Sequence, residues 1–135
     1  ADINKLIQSD RQLRVLIKHL PILGPESETA AHLVLAAGQG PAAQQLHQSL
    51  VSARELDAAS LQAFKRPTTD KGMDKAHIER GLSDVRQLAQ RLDIQGTPAL
   101  LVGEHLLRGA SGIEPLKVAI QATRARQGRR PPAGA

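Results

Sequence analysis

Gly96-Thr97-Pro98, running into Ala99-Leu100-Leu101-Val102-Gly103, is the segment of this chain whose residue types most suggest a site. The Gly-Thr-Pro step ends a helical pattern and delivers the backbone into a short apolar run suited to a buried strand. Other residues able to do chemistry are scattered. The histidines His19, His32, His47, His77 and His105 fall in no metal-ligand spacing and no His-Glu-x-x-His pattern, so they read as core-edge or solvent-facing side chains and no metal is expected. No Gly-x-Ser-x-Gly elbow marks a serine nucleophile. Gly38-Gln39-Gly40-Pro41 has no lysine and follows a helix rather than a strand, which makes it a helix–helix turn and not a phosphate loop. Glu26 and Glu28 suit the positive end of a helix dipole rather than an acid–base pair. There is no cysteine at all, which excludes disulfides, thiolate metal sites and thiol nucleophiles within the chain. No catalytic residue and no cofactor are expected.

Composition narrows the remaining classes. The 135 residues suffice for one domain with a real core, and 41% are apolar. Phe64 is the only aromatic residue of the Phe, Tyr and Trp set, so the core must be built from Leu, Ile, Val and Ala. The net charge of +5 is local: Arg124, Arg126, Arg129 and Arg130 lie in the last dozen residues, and the other 14 of the 18 Lys and Arg nearly balance 13 acids. A nearly neutral body with almost no stacking rings is not expected to bind nucleic acid. No run reaches the roughly 18 apolar residues of a membrane span. No basic–apolar–small leader opens the sequence, so an export signal is expected to have been removed or never to have existed.

The elements that must position Pro98 can be read from periodicity and breakers. Asp2 to Ser9 carries Ile3, Leu6 and Ile7 at helical spacing and reads as the last turns of a helix. Arg14-Val15-Leu16-Ile17-Lys18-His19 predicts a buried strand stopped by Pro21. A helix runs from the Pro25 turn to Gly38, a second starts near Pro41 with Leu46, Leu50 and Val51, and Asp57 caps a third, short one with Leu61 and Phe64. A polar break at 66–72 contains Pro67. Met73-Asp74 then opens a long helix whose stripe is Ile78, Leu82, Val85, Leu88, Ala89 and Leu92, with Gly81 as a potential bend. Residues 97–102 and 105–108 predict a hairpin about Gly103-Glu104. Pro115 sits in the first turn of a final helix with Leu116, Ala119, Ile120 and Thr123 inward. Residues 126–135 are expected to be a disordered basic tail after a domain spanning 1–125, whose helical insertion covers about 25–93.

This order of strand, helical insertion, proline loop, hairpin and closing helix resembles the DsbA-like family of bacterial thiol–disulfide oxidoreductases. The residues that carry the resemblance are His19-Leu20-Pro21-Ile22-Leu23-Gly24-Pro25-Glu26-Ser27 with the alanine-rich helix after it, Gly72-Met73-Asp74, Leu88 through Ala99, and Leu107-Arg108-Gly109-Ala110 before a helix. It covers nearly all of residues 1–125. The implied fold is α/β: a truncated thioredoxin-like fold, mostly helical, with a small mixed sheet of about three strands. The resemblance also implies an exported or periplasmic protein. An X–Pro bond is trans in all but about 5–6% of folded cases, so the residues alone give a trans Pro98. The resemblance implies cis, with the Thr97 backbone facing an extended peptide and Gly96, Thr97 and Pro98 as the binding loop.

The departure lies at the front. In the family a first strand leads to a Cys-x-x-Cys at the start of a helix that continues into the segment resembling Ala1 to Asp10. Both the strand and the cysteine pair are absent here, so redox function does not carry over. The stretch from Gly72 to Ile94 is also shorter than the family's. The absent strand is the central one, between the strands expected at 14–19 and 98–103, and without it both expose unpaired backbone. The flanking strands could close on each other, a second copy could donate an element, or an upstream segment could supply it. A homo-oligomer, such as a swapped dimer, is expected.

Two functions follow from different classes. One is a redox-inactive thioredoxin-fold module that binds extended peptide beside Pro98 or serves assembly. The other is a fragment or deletion of an active periplasmic oxidoreductase whose Cys-x-x-Cys lies upstream. A third reading is a helical adaptor with a fortuitous proline hairpin. A cysteine pair about ten to twenty residues upstream, on the family's spacing, would decide between the first two.

Overall fold

Local signals set the helix boundaries. A computed structural model describes residues 2–64 and 74–128. Its elements are α1 (Asp2–Ser9), α2 (Pro25–Ala36), α3 (Pro41–Ser52), α4 (Ala58–Ala63), α5 (Lys75–Arg91), β1 (Ala99–Val102), β2 (His105–Arg108) and α6 (Ile113–Gly128). Pro25 and Pro41 occupy the first turns of α2 and α3, where a missing N–H costs nothing. Asp57 caps α4 through a reciprocal box: the Ser60 amide donates to Asp57 Oδ1 at 2.7 Å and the Asp57 amide donates to Ser60 Oγ at 3.0 Å. Asp74 caps α5 by accepting from the His77 amide at 2.8 Å. The accepted amide bonds hold both aspartates below the ordinary carboxylate range. α5 continues through Gly81 as one helix.

The chain divides into two compact units, one formed by residues 18–92 and the other by residues up to 17 together with those from 93 on. In the 18–92 unit, Ala31, Ile78 and Leu82 form one buried cluster, flanked by Leu35 and Ala36. Val34, Leu50 and Leu61 form a second, with Ala30, Leu33, Leu46, Leu56 and Phe64 packed against it. α2 serves both, because Ala30, Leu33 and Val34 share one face at steps of three and four while Ala31 and Leu35 share the adjacent one. The stripe expected on α5 is buried at Ile78, Leu82 and Ala89 and half-buried at Val85, while Leu88 is exposed.

The other unit is built on Leu6, Leu116 and Ile120, with Ile3, Leu13, Leu100, Val102, Leu107 and Ile113 against them. β1 and β2 pair antiparallel, Leu100 opposite Leu107 and Val102 opposite His105. The Gly103-Glu104 turn has φ +58° at Gly103, a positive first central φ of the kind type II′ hairpins use. A Cβ at that glycine would lie 2.6 Å from Thr123 Oγ1, so α6 packs closely on the turn. The Thr123 hydroxyl lies 2.8 Å from the Ala119 carbonyl and 3.3 Å from that of Val102, one proton facing two acceptors.

Three expectations change. The sheet among the described residues has two antiparallel strands, not about three in a mixed sheet. Residues 14–19 run without a ladder, since a strand exists only where its amides and carbonyls find partners across from them; Leu13 packs on the core, whereas Leu16 and Ile17 are more than half exposed. The closing helix runs to Gly128, so residues 126–128 are helical rather than part of the tail. No proline interrupts that turn, and Arg126 pairs there with Glu104. The remainder of the expected tail, the break at 66–72 and Met73 lie outside the described residues.

Candidate functional site: the loop before Pro98

The loop opens at Asp93, whose φ of +51° is left-handed, a conformation aspartate tolerates better than most residues. Its side chain accepts from Gln95 Nε2 at 3.0 Å, and its carbonyl accepts from Arg108 Nη2 at 3.2 Å. Farther along, the Gly109 amide donates to the Pro98 carbonyl at 2.8 Å. The loop is thus fastened to the end of β2 at two points. The Thr97–Pro98 peptide bond is cis.

Asp93, Ile94, Gln95, Gly96, Thr97, Pro98, Arg108 and Gly109 line an open cleft of about 290 Å³. Gly96, Thr97 and Pro98 are all exposed, and a Cβ added at Gly96 would meet nothing within 4 Å. Thr97 lies just outside the β1–β2 register, which starts at Ala99 opposite Arg108. The charged groups of the lining are the Asp93 carboxylate and the Arg108 guanidinium.

The three residues expected from sequence therefore lie together in one cleft. Sequence reasoning did not place Asp93, Arg108 and Gly109 in that lining. The available signal is the run Leu107-Arg108-Gly109 after the hairpin turn, which enters the sequence reading as the end of a strand and as part of the resemblance, not as a wall of the loop.

Some of the histidines take partners that linear spacing does not reveal. His19 and His47 meet edge to face, with ring centroids 5.3 Å apart and planes at 61°. Burial, followed by the neighbouring His47 charge, holds the His19 imidazole below its ordinary value. His32 Nε2 lies 3.4 Å from Glu79 Oε1, and His77 Nδ1 lies 3.3 Å from Asp74 Oδ2. Glu28, His32 and Glu79 converge so that their ligand-type atoms all lie within 4.8 Å of one another. Glu28 also accepts from Arg86 Nη2 through both carboxylate oxygens, each at 2.7 Å. The sequence trace of this group is the i, i+4 pair Glu28 and His32.

No protein-family model and no curated protein matches the chain. Solved structures do. Proteus mirabilis ScsC in a compact conformation superposes with a TM-score of 0.80 at 28% identity, over 93% of this chain and 73% of that one. The same protein in a transitional conformation gives 0.78 at 29% identity, over 92% of this chain and 58% of that one. A periplasmic thioredoxin-like protein from Salmonella enterica serovar Typhimurium gives 0.77 at 24% identity, covering 91% of this chain and 73% of its own. The chain thus spans between 58% and 73% of the length of these structures. No helix among the described residues is long and apolar enough to cross a membrane. The chain has a thioredoxin-like α/β fold, with a two-stranded sheet among the described residues and no cysteine in the sequence.

Proposed function

We propose that the chain is a redox-inactive thioredoxin-fold module that binds extended polypeptide along the Gly96-Thr97-Pro98 loop, in a periplasmic setting like that of the thioredoxin-like protein it resembles. The observation that carries this reading is the open cleft beside an exposed Thr97 whose main chain lies outside the strand ladder. Strand-type recognition draws affinity from main-chain hydrogen bonds and needs such a free backbone. The absence of cysteine removes exchange chemistry while leaving binding possible.

The test uses a reduced and alkylated unfolded polypeptide with a fluorescent label. Gly96→Leu places a side chain into the cleft at a position whose Cβ meets no neighbour. Binding by the unaltered chain that falls about tenfold or more in this variant, with far-ultraviolet dichroism unchanged, supports the reading. Equal binding by both proteins defeats it.

A second reading is favoured by the length of the similar structures, of which this chain spans 58–73%. In it, residues 1–135 belong to a longer thiol–disulfide oxidoreductase whose cysteine pair lies upstream. The gene sequence ahead of Ala1 decides between the two. Either reading leaves β1 with one partner among the described residues and Leu16 and Ile17 exposed, which supports association with a second copy. Light scattering at micromolar concentration tests this, and a monomeric mass rejects it.

A further inference from the structure

We propose that Glu28, His32 and Glu79 form a zinc-binding site on the helical unit, and that Arg86 competes with the metal for Glu28. Glu28 and His32 are four residues apart on α2, which stacks their side chains on one face. α5 contributes Glu79. One imidazole and two carboxylates supply three protein ligands, a set that suits zinc with a fourth position left to water. The imidazole argues against calcium or magnesium, which take oxygen ligands.

The spacing fits the ion. With metal–ligand distances of about 2.0–2.1 Å, two ligands of a tetrahedral site lie about 3.4 Å apart, and His32 Nε2 lies 3.4 Å from Glu79 Oε1. The Glu28 carboxylate is within 4.8 Å of both, so a side-chain rotation of modest size closes the set. The backbone beneath is fixed: Ala31, next to His32, and Ile78, next to Glu79, pack in one buried cluster with Leu82, which is only 1% exposed. Ligands on rigid, packed elements lose little entropy on binding.

Two separate ion pairs, His32 with Glu79 and Arg86 with Glu28, are the plainer description of the same side chains. What separates the descriptions is the role of Arg86. Both Glu28 oxygens are taken by one guanidinium nitrogen, so a cation already sits on the third ligand. Zinc must displace it, and the displaced positive charge then opposes the metal. Removing the arginine should tighten binding, whereas two independent pairs give no reason for any effect.

The experiment titrates ZnCl2 alone into the full chain by calorimetry. The expected result is one site weakened at least about tenfold by H32A and by E79Q, a loss already seen when merely an outer partner of a metal ligand is removed. R86Q should tighten it by about twofold to fivefold, the worth of a partly exposed ion pair. H77A should change nothing. Should H32A not fold, the ring-proton resonances of His32 in the unaltered chain must shift on adding zinc while those of His47 stay in place. Equal binding by H32A and the parent, an unmoved His32 resonance, or an unchanged or weaker R86Q overturns the proposal. The Gly96→Leu variant should bind zinc as the parent does, which keeps this test separate from the peptide reading.

Discussion

Arg124 of α6 grips the Asp10 carboxylate with both terminal nitrogens, Nη1 to Oδ2 at 2.8 Å and Nη2 to Oδ1 at 3.1 Å. Asp10 follows α1 and also accepts from the Gln12 amide at 3.1 Å, so one carboxylate ties the end of the first helix to the last. The Arg124 hydrogen bond is the main reason Asp10 lies below the ordinary carboxylate range, and Arg124 is raised in return. Because the folded value is depressed, the stability it brings is complete above the unfolded value and disappears as pH falls through the folded one. Asp10→Asn should therefore flatten the decline of the thermal midpoint between about pH 5 and about pH 2. Arg124→Lys should act in the same direction, since an ammonium cannot reproduce the fork. A decline as steep in Asp10→Asn as in the parent would show that the pair does not titrate with folding.

His19 provides a second and separate pH dependence. Its imidazole is held down first by burial and then by the charge of His47, so the folded state prefers it neutral. Stability from this source is full above the ordinary imidazole value of about 6.5 and is lost as pH drops below it toward the folded value. His47→Gln removes the charge and leaves the burial. The His19 ring resonance should then titrate closer to its ordinary value, and the fall in midpoint between about pH 7 and about pH 5 should become shallower. An unmoved titration curve would mean the ring contact carries no electrostatic weight.

The hairpin turn should not tolerate a side chain. Gly103→Ala faces two obstacles, a φ of +58° and a Cβ 2.6 Å from Thr123 Oγ1. The expected cost is about 1–3 kcal/mol by denaturant titration. Combining it with Thr123→Ala should recover the steric part but not the conformational part. A double-mutant cycle with no coupling would rule out the steric contact.

Core substitutions should separate sharply from surface ones of similar composition. Leu82→Ala removes a side chain that is 1% exposed, between Ala31 and Ile78, and should cost about 2–5 kcal/mol. Val118→Ala, at a residue 63% exposed, should stay within about 0.5 kcal/mol. Comparable losses at both positions would contradict the assigned packing.

Most of the helices were legible because their start signals act locally. Pro25, Pro41, Asp57 and Asp74 each fix a first turn through backbone groups no more than a few residues away. The hairpin was legible for the same reason, since Gly103 turns the chain back on its immediate neighbours. Residues 14–19 mark the limit. Their β-branched and aliphatic pattern is a sound strand signal, but pairing depends on a distant partner that a local pattern does not reveal. The cleft divides in the same way. Gly96, Thr97 and Pro98 stood out as a break in the pattern, whereas Arg108 and Gly109 join them only because the hairpin returns alongside. The group at Glu28 escaped notice because Glu79 lies on another helix, and spacing rules for histidines look along the chain rather than across it.

Phe64, at the end of α4 against Val34, Leu50 and Leu61, is the one benzene ring of a chain without tyrosine or tryptophan. The fold is nearly dark to ordinary aromatic spectroscopy, and what near-ultraviolet dichroism it has originates in the 18–92 unit. Far-ultraviolet dichroism, by contrast, sums the helices of both units. The two signals therefore form a built-in pair of reporters, one for a single unit and one for the whole chain. If they fade at the same denaturant concentration the units melt as one cooperative body, and if they separate the order of loss can be read without a label.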